Sequence, residues 1–157
     1  MPNTRVVQRS EFECAYLMPK DKSNRDYELN AHFYKIEATF ENRSDVEDFV
    51  LDFRICKQIM DSVLPNNCFI YNGRAVTPNG SAYTVVESAG EVEVAAAMEK
   101  VGVPVKRYDF KISAETLAEY FALRIQRELN AHDLANIQVR ELKLRETADS
   151  FATWSLV

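Results

Sequence analysis

The chain lacks the features that mark membrane proteins and multi-domain proteins. No apolar run approaches the ~20 residues that a bilayer-spanning helix requires, and no signal peptide is recognisable, so we expect no membrane association. No stretch rich in proline or glycine divides the 157 residues, and the composition does not shift along the chain. We therefore predict a single domain over residues 1–157, which is long enough to bury a hydrophobic core.

Cysteines are few, and acidic residues outnumber basic ones by 24 to 19. Cys14, Cys56 and Cys68 are odd in number and show no paired spacing, which is typical of free thiols in a reducing cytoplasm. The net charge of −5 and the isoelectric point near 5.1 leave no concentrated basic face for phosphate backbones. The sequence thus predicts a cytoplasmic protein that binds no nucleic acid.

What is present begins with a strand over residues 30–41. From His32 onward the even positions are mostly apolar and the odd positions from Lys35 are polar, the period of two typical of a strand covered on one face. Asn30 and His32 therefore point the same way. Residues 6–18 also have strand composition at their centre, and a charged loop from Pro19 to Glu28 would join the two as a long antiparallel pair.

Two helices are predicted from apolar residues at three- to four-residue spacing. In the second helix, Ser113 is a candidate N-cap, Glu115 in the first turn suits the helix dipole, and His132 is expected at the far end. The first helix follows residues 49–51 and ends at Pro65. The predicted buried stripes are Ile55, Ile59, Met60 and Val63 in the first helix, and Leu117, Phe121, Ile125 and Leu129 in the second.

The remaining segments are predicted to be strands. Turn residues at 72–73 and 78–80 precede an expected hairpin of residues 82–87 and 91–98 around Ser88-Ala89-Gly90. Residues 137–146 and 150–157 are strand-like, with a short turn at Ala148-Asp149.

Residues 30–34, Asn-Ala-His-Phe-Tyr, resemble the His-Gly-His-Asn-Tyr run of the pyruvoyl-tetrahydropterin and carboxy-tetrahydropterin synthase family, in which both histidines bind zinc. Asn30 stands in place of the first histidine. Residues 12–17 resemble the strand that carries the third zinc histidine, and Tyr16 stands in its place. Further matches to the family are Asp52-Phe53, residues 112–118 at the start of the second helix, and Glu146-Thr147, whose glutamate anchors the pterin ring in the family.

The resemblance implies an α+β T-fold, with an antiparallel four-stranded sheet, two helices on one face and an inserted β-hairpin. It also implies subunits that close into an oligomeric barrel as a homotrimer or homohexamer. The open edges of such a sheet favour closure, and the polar face formed by Lys35, Glu37, Thr39 and Glu41 would suit a wet barrel lumen.

The zinc chemistry of the family is not expected here. Zinc needs about three or four N, S or anionic O ligands, and Tyr16, Asn30 and His32 supply one good ligand. The family's cysteine would fall near residues 24–26, where no cysteine occurs, and residues 66–69 do not contain its Asp-His pair. We predict neither a metal nor a cofactor; a metal held by Tyr16, His32 and a side chain of residues 66–68 is the alternative.

Three residues are predicted to be catalytic: His32, Tyr16 and Glu146. Each has a structural alternative, namely a hydrogen-bonded core histidine, a packing aromatic and a solvated carboxylate at a strand end. Cys68, expected in a loop, is a better candidate for a reactive thiol than Cys14, which is expected in the core. The predicted ligand-binding residues are Glu146, Asn30, Glu115 and Cys68.

Two functions remain open. The first is a metal-independent enzyme that catalyses a lyase, cyclisation or isomerisation step on a small biosynthetic metabolite, in a pocket between subunits. The second is a non-catalytic protein that binds a pterin or a purine-like ligand, or a partner subunit of an active paralogue. The polar residues kept around the expected cavity favour the enzyme.

Overall fold

The structure, a computed structural model, describes residues 4–19, 27–43, 48–49, 51–73 and 82–157, and the side chains of all of these except 19, 27 and 82–90. The strands within these ranges are β1 (Arg5–Pro19), β2 (Tyr27–Asn42), β3 (Cys68–Asn72), β4 (Val105–Tyr108), β5 (Ile137–Arg145) and β6 (Phe151–Ser155). The helices are α1 (Phe53–Val63), α2 (Ala82–Lys100) and α3 (Ala114–Ala131). The α+β class is confirmed.

The described strands form one mixed sheet in the order β4-β3-β1-β2-β5-β6. β3 pairs in parallel with both β1 and β4, whereas β5 pairs antiparallel with β2 and β6. The prediction of a four-stranded antiparallel sheet is therefore wrong. β3 and β4 contain only 5 and 4 residues, too few for a clear alternation of polar and apolar side chains.

The predicted hairpin of residues 82–98 is also wrong, because these residues form α2. Parallel strands need a long crossover connection, usually a helix, and α2 supplies it between β3 and β4. The run Ala95-Ala96-Ala97-Met98 consists of strong helix formers. The hairpin was predicted from the turn residues around Ser88-Ala89-Gly90, but helix propensity and the parallel topology favour the helix.

The chain divides into two compact units, and β1 and β2 contribute to both. Unit 1 lies within residues 1–12, 34–64 and 114–157 and contains α1, α3, β5 and β6. Unit 2 lies within residues 13–33 and 65–113 and contains β3, α2 and β4.

The core of unit 1 confirms the predicted face of β2 and the predicted stripe of α3. Tyr34, Ile36, Ala38 and Phe40 are fully buried, as are Leu117, Phe121, Ile125 and Leu129. The Phe12 ring is stacked on Tyr34 at a centroid distance of 5.0 Å and meets Phe121 edge-on at 5.5 Å. Such aromatic pairs stabilise a core beyond their buried area.

Helix α1 begins at Phe53, and the side chain of Asp52 caps it by accepting a hydrogen bond from the Arg54 amide at 2.9 Å. Ile59, Met60 and Val63 are buried as predicted, and the helix ends before Pro65. Ile55 is 40% exposed, however, and Cys56 takes its place in the buried stripe. The prediction for Ile55 is wrong because the packed face of this helix includes position 56 rather than 55.

In β5 a register shift opposite Thr39 and Phe40 marks a β-bulge, with Glu141 opposite Thr39 and Val139 opposite Phe40. Both Val139 and Leu142 are buried, although three positions separate them. A strand without a bulge would direct them to opposite faces, so the extra residue keeps the hydrophobic face continuous.

Unit 2 buries a glutamate side chain. Glu91 of α2 is 5% exposed, and its Oε2 accepts a hydrogen bond from the backbone N–H of Asn72 at 3.0 Å. This contact attaches the helix to the end of β3. Phe69, Ile70, Ala95 and Tyr108 supply apolar burial in the same unit.

Several predictions fall outside the described residues: most of the charged loop from Pro19 to Glu28, the cysteine-free segment at 24–26, and the turn at 78–80. None of the helices in the described ranges is both long and apolar enough to cross a bilayer. The single domain and the oligomeric barrel stay predictions.

Candidate functional site

A cavity of about 410 Å³ lies within unit 2. The end of β1, the start of β2, the start of β3 and the C-terminal end of α2 provide its walls. The lining residues are Glu13, Cys14, Ala15, Ala31, His32, Phe33, Asn67, Cys68, Phe69, Met98 and Val103. It combines apolar walls with a few polar groups, the composition typical of sites for small molecules.

Two hydrogen bonds tie the backbone of Glu13 to residues 66 and 67 beside the cavity. The Glu13 amide donates to Oδ1 of Asn66 at 3.1 Å, and the Asn67 amide donates to the Glu13 carbonyl at 2.7 Å. Asn67 has a φ of 54°, in the left-handed region that asparagine tolerates better than most residues. These contacts bring Cys14 and Cys68 into register on the neighbouring strands β1 and β3.

Both of these thiols line the cavity and neither forms a disulfide. Cys14 is 5% exposed, as expected for a core residue, and Cys68 is half-buried. Burial raises the pKa of the Cys68 thiol, and the positive charge of Lys106 partly offsets the rise. Cys68 is the first residue of β3, so its predicted position in a loop is wrong.

Of the other predicted site residues in unit 2, His32 lines the cavity and two do not. Tyr16 is 2% exposed and packs in the core, and Asn30 is half-buried. The structure therefore brings His32 and Cys68 to one cavity, while a role of Tyr16 and Asn30 there stays a prediction.

Glu146 and Glu115 belong to unit 1. Glu146 directly follows β5, as predicted, and its amide donates to the Ser150 carbonyl at 3.1 Å in the turn before β6. Glu115 is exposed in the first turn of α3. His132 follows α3, and its Nδ1 lies 2.7 Å from the Glu128 carbonyl, which confirms its place at the helix end.

Sequence reasoning missed several lining residues. Glu13 lies three residues before Tyr16, the position compared with a zinc ligand of the family. Asn67 lies in the segment compared with the family's Asp-His pair. Both residues are therefore close in sequence to positions already under consideration and could have been identified. Met98 was assigned to a hairpin, and Val103 follows the same misassigned segment. No local signal in the sequence places these two apolar residues at the cavity.

Tyr16, Asn30 and His32 do not provide the three histidine ligands of the zinc site that the resemblance implies. Tyr16 is buried, and Asn30 offers an amide in place of an imidazole, which leaves His32 as the one ligand of the preferred kind. Within the part of the chain that the structure describes, no three His, Cys, Asp or Glu side chains are grouped closely enough to hold a metal ion.

Comparison with solved structures shows the fold. A crystal structure of an uncharacterised protein from Wolinella succinogenes has a TM-score of 0.64 at 13% identity, with 99% of each chain covered. The 6-pyruvoyltetrahydropterin synthase of Plasmodium vivax, solved as a catalytic-residue mutant, has a TM-score of 0.64 at 15% identity over 98% of each chain. The 6-pyruvoyl tetrahydropterin synthase of Plasmodium falciparum has a TM-score of 0.63 at 17% identity, over 97% of this chain and 96% of that one.

Comparison with curated protein sequences gave no match. The sequence model of one family, described as 6-pyruvoyl tetrahydropterin synthase, matches residues 5–155, which is nearly the whole chain. The six-stranded mixed sheet with its helices agrees with the fold of the Plasmodium enzymes. The chain therefore belongs to the 6-pyruvoyl tetrahydropterin synthase family.

Proposed function

We propose that the chain is a metal-independent, divergent pterin synthase-like enzyme that carries out a lyase, cyclisation or isomerisation step on a small metabolite. The observation that supports it most is the 410 Å³ cavity in which His32 shares the walls with Glu13, Asn67 and Cys68. The family match over residues 5–155 favours pterin-like chemistry for this site.

His32 is the proposed proton-transfer group. An imidazole both accepts and donates protons, and a positioned acid-base group accelerates reactions by about 10²- to 10⁴-fold. The Glu13 carboxylate and the Asn67 amide at the same cavity can orient a polar substrate by hydrogen bonds. Reactions that need only proton transfers, such as isomerisation or ring closure, require no metal at such a site.

Glu146 is the proposed anchor for the ligand. A carboxylate can accept two hydrogen bonds from the amidine-like edge of a pterin, which gives both affinity and orientation. This role rests on the match to the family's Glu-Thr pair and on the position of Glu146 after β5. Completion of the pocket by a second subunit in a trimer or hexamer is part of the proposal and is testable by light scattering.

A non-catalytic ligand binder is the second candidate. Phe33, Met98 and Val103 make much of the cavity wall apolar, and burial raises the pKa of Cys68 and thereby disfavours its nucleophilic thiolate. The apolar wall suits retention of a flat ligand, and the protonated thiol leaves the cavity without this nucleophile. They are equally compatible with a partner subunit that binds the ligand for an active paralogue.

Binding and turnover separate the two candidates. Titration with neopterin, followed by its fluorescence, should show saturable binding that weakens at least about tenfold in Glu146→Gln, because a charge-assisted pair is lost. Glu119→Gln, an exposed carboxylate on α3, is the matched control. Absence of saturable binding, or an unchanged Kd in Glu146→Gln, would contradict the anchor.

Product formation from dihydropterin substrates, followed by mass spectrometry, then tests catalysis. The enzyme proposal expects turnover by the native chain and by His132→Asn, and a loss of at least about 100-fold in His32→Asn. Binding without turnover would favour the binder. Full activity in His32→Asn would show that His32 takes no part in the reaction.

Elemental analysis of the same preparation tests metal independence. We expect zinc well below one ion per chain, since the donor set lacks two of the three imidazoles that the resemblance implies. Stoichiometric zinc that is lost in His32→Asn would overturn this expectation.

A further inference from the structure

A second cavity, of about 340 Å³, lies within unit 1 and shares no lining residue with the cavity of His32. Its charged lining comes from three strands: Arg9 and Glu11 on β1, Lys35 and Glu37 on β2, and Arg145 on β5. The lining therefore holds three cations and two carboxylates, a formal charge of +1 in a chain whose net charge is −5.

Two of these cations lie directly opposite each other. Lys35 and Arg145 are register partners in the antiparallel pair of β2 and β5. Like charges in directly opposite positions destabilise a sheet. Neither side chain forms an ion pair with a carboxylate of any residue that the structure describes. The pair thus keeps a positive potential that a bound anion would neutralise.

The neighbouring groups keep that potential in place. Of the two carboxylates in the lining, Glu37 is engaged by Arg9, whose Nε lies 3.0 Å from Oε1 of Glu37, so Glu11 alone is left to offset the charges of Lys35 and Arg145. The Arg145 guanidinium lies over the Phe151 ring at 5.0 Å, and Nζ of Lys143 lies over the same ring at 4.8 Å. The contact with Phe151 orients Arg145 before any ligand binds.

From this arrangement we propose that the cavity lined by Lys35 and Arg145 binds a small phosphoryl dianion. A guanidinium offers paired N–H donors that match phosphate oxygens, and an ammonium adds a compact charge. Residues directly opposite on neighbouring strands are separated by about 5 Å between Cα atoms, so one phosphoryl group can contact both side chains. This site does not depend on the proposed function of the His32 cavity.

Isothermal titration with inorganic phosphate tests the site at constant ionic strength, with chloride as the reference salt. The native chain should bind one phosphate saturably and show a higher Tm in phosphate than in chloride. Lys35→Gln and Arg145→Gln should each bind at least about tenfold more weakly, through loss of a charge-assisted contact. Lys100→Gln, which removes an exposed charge at the end of α2, should bind as the native chain does.

The Tm of each variant in chloride shows whether weaker phosphate binding results from a loss of folding stability. Removal of one member of a like-charge pair should leave the Tm of Lys35→Gln in chloride equal to or above that of the native chain. A lower Tm in chloride would overturn the premise of repulsion. Equal binding of phosphate by the native chain and both variants would overturn the site, and equal binding of succinate would overturn its phosphoryl specificity.

Discussion

Cys14 and Cys68 occupy the same register position on two neighbouring parallel strands, and both thiols line the cavity that also contains His32. They come from segments that are distant in the sequence and meet because β3 pairs with β1. The third cysteine, Cys56, is buried in α1, where burial raises its pKa to about 12. The three thiols therefore differ in their environments.

Thiol reactivity should follow these environments. At pH 8, labelling of the native chain by DTNB should modify Cys68 first and leave Cys56 unmodified, since burial raises the pKa of Cys56 to about 12 and keeps its thiol protonated. Lys106→Gln should slow the labelling of Cys68, because the lysine charge lowers the pKa of that thiol. Peptide mapping by mass spectrometry identifies the labelled residue. Labelling in Lys106→Gln that is as fast as in Lys100→Gln, or faster, would contradict the assignment.

Cys56 should also make stability depend on alkaline pH. Its pKa is raised in the folded chain from 9.0 to about 12, so its contribution is fully present below pH 9 and is lost as the pH rises toward 12. Urea denaturation at a series of pH values should show a smaller alkaline loss in Cys56→Ala than in the native chain. An unchanged slope in the variant would assign the loss to other groups.

The aromatic centre of unit 1 should dominate its stability. Phe121 is fully buried and meets the Phe12 ring edge-on, so Phe121→Ala should cost about 3–5 kcal/mol in the free energy of unfolding. Leu123→Ala, two residues away and 56% exposed, should change it by no more than about 0.5 kcal/mol. Chemical denaturation measures both. Equal effects would show that the packed face of α3 is misassigned.

Glu91 should act as an acceptor for β3 rather than as a surface charge. Glu91→Ala leaves the Asn72 amide without this partner and should cost about 1–3 kcal/mol. Glu91→Gln keeps an acceptor oxygen and should cost less. The exposed Glu93 of the same helix provides the control, with Glu93→Ala nearly neutral. Amide hydrogen exchange at Asn72 reports the local contact, and unaltered protection in Glu91→Ala would contradict it.

The regular periodic elements of this fold were predictable from the sequence. The even positions of β2 and the stripe of α3 follow single periods over many residues, and their burial matches those periods. β3 and β4 could not be recognised in the same way. Each is very short and depends on parallel pairing with distant strands, for which the local sequence carries no signal.

The candidate site was predictable only in part. His32 and Cys68 were identified from residue type and from the family's motif, and both line one cavity. Glu13 and Met98 join them through the β1–β3 pairing and through α2, neither of which was foreseen. A helix taken for a hairpin removes its side chains from the expected site, because the two structures direct different residues inward.

The parallel pairing in unit 2 has a consequence for how the chain folds. Cys14 must find Cys68, and Phe69 must find Val105, before either pair of strands gains its hydrogen bonds. Closing these two long loops costs conformational entropy before the hydrogen bonds between the strands can offset it. By contrast, β5 and β6 can pair across a short turn. The walls of the His32 cavity are therefore expected to assemble late in folding.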